Sequence, residues 1–226
     1  ELNGRKGLDP KYVVAVLAVY VDESVDEQEF QQIFDAAKQL GVKAESAPNL
    51  ERRLSLELAQ RMQTSEDVVG FGTEERQATR ATDYRIVLVL ELADRSLFEA
   101  IGHDHIAGED MLMGRKIMAD LGHALDHLHE NKRIHADLKP LNAVREKSTW
   151  QLLDMDVSCE IGQKFGAKEP SSGYCPPEVA KVLLAVHNAE TDEVKSQEIA
   201  KYTASVAYDL WSFGVVLFHL CFGRPL

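Results

Sequence analysis

Apolar residues fall along this chain in two regimes, one strand-like and one helical. Residues 11 to 21 are mostly β-branched and apolar, which predicts a buried strand. From 26 to 40 (DEQEFQQIFDAAKQL), Phe30, Ile33, Phe34 and Ala37 recur at helical spacing, and Gly41 closes the helix. Residues 50 to 62 predict a second helix, rich in charge. The stretch 64 to 83 is polar, with Gly70, Gly72 and several threonines, and reads as a loop. Residues 84 to 92 (YRIVLVLEL) predict a second buried strand.

The rest is mainly helical. A short helix is expected at 96 to 102 and a long one at 109 to 130, the latter with Leu112, Ile117, Leu121, Leu125 and Leu128 on one side. Short pieces follow: Arg133 to Ile134, a loop, and a strand near Trp150 to Leu153. Residues 154 to 177 are polar and irregular, 178 to 201 helical with an acidic middle. The helix at 205 to 222 is apolar on nearly all sides and is expected to be buried. No internal repeat or low-complexity tract is visible.

Composition narrows the class. The chain has 226 residues, 45% hydrophobic and 27% charged, values of an ordinary globular protein. Its longest apolar run, Tyr12 to Val21, has ten residues, about half of what a membrane-spanning helix needs. Cys159, Cys175 and Cys221 are spaced for neither a disulfide framework nor a zinc site, so an intracellular, cytoplasmic setting is expected. A net charge of −12 argues against nucleic acid and acidic membranes as partners.

The candidate chemistry lies in IHADLKPLN, residues 134 to 142. It sets Asp137, Lys139 and Asn142 in a loop held by Pro140, and Asp154 follows twelve residues after Asn142 at the end of an apolar strand. A carboxylate and an amide oxygen suit magnesium, and a further carboxylate suits a proton acceptor. Phosphoryl transfer asks the protein for this kind of positioning and charge neutralisation rather than for covalent chemistry.

IHADLKPLN resembles the catalytic loop of eukaryotic-type protein kinases. LLDMD (152 to 156) resembles their metal-binding Asp-Phe-Gly, and SSGYCPPE (171 to 178) their peptide-positioning loop. YDLWSFGVVLFHLCFGRPL (208 to 226) resembles their central buried helix, and VLVLELADRSL (87 to 97) the last small-lobe strand with the adenine-binding hinge. The five motifs occur in the family's order across residues 84 to 226. The resemblance implies an α+β, protein-kinase-like bilobal fold. An incomplete small β lobe would occupy 1–93, with an insertion at about 22–83 between two strands. A mainly helical large lobe would occupy 94–226.

By the same resemblance, Asp137 accepts the substrate proton, Lys139 sits beside the transferring phosphate, and Asn142 and Asp154 hold magnesium. Leu90 is the gatekeeper, and Glu91 and Ala93 offer backbone groups to adenine. Ser171 hydrogen-bonds near Asp137 and Lys139, Asp209 ties the buried helix to the catalytic loop, and His135 and Met155 stack in an apolar spine. ATP and Mg2+ are the implied cofactors and a protein the implied substrate; the insertion is a candidate site for a regulatory partner.

Ala136, Met155 and Asp156 stand where the family has arginine, phenylalanine and glycine. The missing arginine makes activation by loop phosphorylation less expected. Asp156 is the hardest to place, because glycine takes positive φ at low cost and aspartate only sometimes. No glycine-rich phosphate loop or phosphate-anchoring lysine is visible. If VVAVLAVYV were the lysine-bearing strand, Leu17 would stand in the lysine's place. LDPKYVVAVLAVY instead resembles the connection after the family's first long helix followed by its fourth strand, which places the lysine, as an expectation, upstream of Glu1. Both ends read as cut, and the 226 residues alone are expected to be inactive or poorly folded.

The function expected is therefore a protein serine/threonine kinase. The alternatives are a pseudokinase acting as scaffold or allosteric module, and a small-molecule phosphotransferase on the same fold. His123 and His127, four apart, lack the acid of an HExxH zinc site and read as structural. Cys159 reads as an ordinary thiol.

Overall fold

The computed structural model describes residues 2–22, 25–46, 86–164, 172–187 and 202–226. The expected helix at 50 to 62, the loop at 64 to 83, Ser171 and the acidic stretch 190 to 193 lie outside the described residues. Contacts divide the chain into two compact units: Val16–Leu90, and Glu1–Ala15 together with Glu91–Leu226.

The first unit is a three-stranded sheet with one helix. Strand β1 (Val16–Val21) pairs in parallel with β2 (Ala44–Ser46) and antiparallel with β3 (Ile86–Leu90). Helix α1 (Glu27–Gln39) is the crossover that a parallel pair requires. It starts where the Asp26 side chain accepts from the Glu29 amide, and it stops at Gly41, whose φ of 70° suits a residue without Cβ. Ala37, on its inner face, is fully buried.

The second unit opens with the segment before β1. The run 11 to 21, expected as one strand, is broken at Ala15. Val14 donates to the Leu152 carbonyl at 3.0 Å, and Leu152 donates to that of Tyr12 at 2.8 Å. Tyr12 stacks on His127 at 4.8 Å, and the amide of Asp9 donates to His127 Nε2. These bonds are the reason residues 9–14 belong with the helical unit.

Beyond β3 come β4 (Arg95–Ser96), α2 (Leu97–His103) and the long α3 (Met111–Glu130). Helix α3 is capped by Asp110, which accepts from the Met113 amide, and buries Ile117, Leu121, Ala124, Leu125 and Leu128. Each such leucine contributes roughly 1.5–3 kcal/mol of transfer free energy. Leu112, expected on that face, is exposed instead: five residues before Ile117, it points about 140° away from the buried face at 100° per residue. Strand β5 is Arg133–Ile134; β6 (Ala143–Glu146) and β7 (Thr149–Leu152) form a hairpin turning at Lys147; β8 is Cys159–Glu160. β4 extends the hairpin sheet, and β5 pairs with β8.

Helix α4 (Pro177–His187) begins at a proline, which has no N–H to leave unpaired there. Helix α5 (Val206–Phe222) ends at Gly223, φ 69°. Its inner face buries Tyr208, Ser212, Val215, Val216 and Leu220. Leu210, Trp211, Leu217 and Phe222 on the other side are exposed, so burial on nearly all sides is not what the described residues show. Helix α5 contacts α3, β5 and the 3-10 turn Ser172–Tyr174. No helix among the described residues is long and apolar enough to cross a membrane.

Candidate active site

The loop between β5 and the 3-10 turn Pro140–Asn142 is organised by one buried carboxylate. Asp209, on the first turn of α5, is fully buried. Its Oδ2 accepts from the His135 amide and its Oδ1 from the Ala136 amide, both at 2.9 Å, and His129 Nε2 lies 2.8 Å from Oδ2. A buried carboxylate needs such donors, since an unpaired one is costly to desolvate. Ala136 is fully buried at φ 67°, a left-handed conformation a non-glycine residue adopts uncommonly. It packs with Ile134, Cys175, Val179, Ala204 and Tyr208.

That bend turns Asp137 toward Lys139 and Asn142. Lys139 Nζ donates to Asp137 Oδ2 at 2.7 Å. Asn142 Nδ2 donates to the Asp137 carbonyl at 2.9 Å and to its Oδ2 at 3.1 Å. Asp137 and Asn142 are both buried. With Nδ2 committed to Asp137, Asn142 Oδ1 accepts no hydrogen bond among the described residues.

Asp154 is placed through its neighbour. Leu153 donates its amide to the Asn142 carbonyl at 2.8 Å, and its own carbonyl lies 3.1 Å from His135 Nε2. Asp154 itself has φ 64°; aspartate is among the residues that tolerate this region. Its Oδ1 accepts from the Asp156 amide at 3.3 Å. The structure thus joins Asp137, Lys139 and Asn142 directly, and joins Asp154 to them through backbone. Asn142 Oδ1 and the Asp154 carboxylate are hard oxygen donors, which fits magnesium with its own waters. Among the described residues no group of three or more His, Cys, Asp and Glu side chains gathers to suggest another metal.

Asp156, the hardest departure to place from sequence, does not have a positive φ; the left-handed residue of this turn is Asp154. Asp156 is exposed. His135 and Met155 are both buried. Leu90 ends β3 in the sheet unit. Glu91 donates its amide to the Ala15 carbonyl at 3.0 Å. The Ala93 amide makes no hydrogen bond among the described residues.

The contact of His129 with Asp209 has no counterpart among the sequence expectations. The two residues lie 80 positions apart, and no local spacing signals such a pair. Cys159 sits where burial pushes its thiol up to about 11, so it stays protonated at neutral pH. Tyr174, from the SSGYCPPE segment, places its hydroxyl 3.0 Å from His219 Nδ1 on α5. Burial holds the His219 imidazole below its ordinary value.

A family model for the protein kinase domain matches residues 31–226. The dual specificity tyrosine-phosphorylation-regulated kinase 3 of Homo sapiens is 30% identical over 144 residues, covering 62% of this chain and 21% of that protein. The serine/threonine-protein kinase Kist of Homo sapiens is 30% identical over 142 residues, covering 62% of this chain and 32% of that protein. The chain spans about a fifth to a third of the length of these curated relatives.

Proposed function

The chain belongs to the protein kinase domain family, and from that premise we propose that the protein transfers the γ-phosphate of ATP to a serine or threonine hydroxyl of a protein substrate. The observation that carries this reading is the bonding of Asn142 Nδ2 and Lys139 Nζ to one Asp137 carboxylate oxygen. It gathers a carboxylate, an ammonium and a side-chain amide within one loop.

Each residue then has one task. Asp137 takes the proton of the substrate hydroxyl as the oxygen attacks phosphorus. Lys139 offers its ammonium to the transferring phosphate. Asn142, through Oδ1, and Asp154, through its carboxylate, hold magnesium. Held there with ATP, magnesium would supply charge neutralisation at the phosphate oxygens. The Glu91 carbonyl and the Ala93 amide receive adenine, with Leu90 as gatekeeper. Lys139, at the offset typical of serine/threonine kinases, supports the hydroxyl specificity. So does the resemblance to Kist, itself named a serine/threonine-protein kinase.

The test is Asp137→Asn in the full-length protein. Phosphate transfer to serine/threonine peptides is expected to fall by about 10²–10⁴-fold, the contribution of a positioned general base, with the folded state retained by circular dichroism. Wild-type rates in the variant overturn the assignment.

A further inference from the structure

Gly4 touches the segment that follows Asp154. The 3-10 turn Asn3–Arg5 brings it so close that a Cβ built on it would stand 2.8 Å from the Met155 carbonyl oxygen and 3.1 Å from Met155 Cβ. Ser158 Cβ would be 3.6 Å away. The first distance is shorter than real Cβ contacts, and the atom it meets is backbone, which cannot swing aside as a side-chain tip can. Gly4 has no positive φ, so space rather than conformation calls for glycine here.

Both sides of this contact are anchored. Arg5, itself buried, donates to the Val14 carbonyl, and the amide of Leu8 donates to the Arg5 carbonyl at 3.1 Å. Val14 is bonded to Leu152, and Gln151 Nε2 donates to the Pro10 carbonyl at 3.0 Å. On the other side Met155 is buried, and its carbonyl accepts from the Ser158 amide at 3.2 Å. Asp154 therefore lies between two fixed residues. Leu153 is held by His135 and Asn142, and Met155 is held against Gly4.

We propose that Gly4 is a positioning residue for Asp154: the absent side chain lets the turn at 3–5 close on Met155, and that contact fixes the direction of the Asp154 carboxylate. The proposal rests on the kinase reading, in which Asp154 holds magnesium. Adding a methyl group forces either the turn or the Met155 backbone to move. Asp154, already left-handed, then changes its aim.

The test measures ATP binding by the full-length protein at graded Mg2+ concentrations, in wild type, Gly4→Ala and Gly102→Ala. A Cβ on Gly102 meets nothing within 4 Å, so that variant is the control. Gly4→Ala is expected to raise the half-saturating Mg2+ concentration about 10-fold, the size seen when a support of a metal ligand is lost. ATP binding without Mg2+ should stay as in wild type. Wild-type Mg2+ dependence in Gly4→Ala, or an equal shift in Gly102→Ala, overturns the proposal. Should Gly4→Ala not fold, Arg5→Lys decides: it loosens the same turn and should shift the Mg2+ dependence in the same direction, and an unchanged dependence overturns the proposal. Absence of Mg2+-dependent ATP binding in wild type removes the kinase reading and the proposal together. Normal wild-type binding with an unshifted Gly4→Ala removes the proposal alone.

Discussion

Asp209 shows how one buried charge can set the loop that carries Asp137. Its two oxygens receive two consecutive backbone amides and an imidazole, which holds the bend at Ala136 from which Asp137 projects. Asp209→Asn replaces an acceptor oxygen by an NH2 group that faces one of those donors. It is expected to destabilise the protein by about 1–3 kcal/mol, the cost of a buried unpaired donor, as read by urea unfolding. A variant as stable as wild type would remove Asp209 from its organising role. At this scale Asp137, Lys139, Asn142 and Asp154 were legible, because their spacing is set within a single loop and strand. Gly4 and His129 were not. In sequence Gly4 is a glycine near the start with no phosphate-loop pattern around it, and its contact with Met155 exists only once distant parts of the chain are folded together.

Elements were legible where periodicity was long. Helices α1, α2, α3 and α5 fall where the apolar spacing placed them, within a few residues at each end. The short strands β2, β6 and β8 were not singled out in the sequence, whereas β7, equally short, was marked by the apolar run at Trp150 to Leu153. The run 11 to 21 was uniform in sequence yet divided in structure, because the backbone of 12–14 bonds to Leu152 while 16–21 joins the sheet. Helix α2 offers an element-scale prediction. Ser96 and Glu99 form a reciprocal cap: Ser96 Oγ accepts from the Glu99 amide, and Glu99 Oε2 accepts from the Ser96 amide at 2.7 Å. Those bonds, backbone first and hydroxyl second, hold the Glu99 carboxyl below its usual range. Its stabilising effect is therefore present above the unfolded carboxylate value of 4.5 and is lost as pH falls through the lower folded value. Ser96→Ala is expected to cost about 1 kcal/mol at pH 7 and less in acid, measured by thermal melting at both pH values. An equal loss at both would show that the ionised cap contributes nothing.

On the scale of the whole molecule, the chain is divided between a small sheet unit and a larger helical unit, and it passes from one to the other at Ala15–Val16 and Leu90–Glu91. The α+β class and the order of motifs were legible from sequence alone. The allegiance of residues 1–15 to the helical unit was not, because it depends on bonds to Leu152, Gln151 and His127 more than a hundred residues away. Those same bonds carry Gly4 to the loop of Asp154. The proposed function has Asn142 and Asp154 share one metal beside Asp137. The most direct measurement is a crystal structure of the full-length protein with Mg2+ and a non-hydrolysable ATP analogue. Asn142 Oδ1 and an Asp154 carboxylate oxygen are expected at about 2.1 Å from a common ion, with the γ-phosphate facing Asp137. An ion bound by neither residue would overturn the proposed metal site.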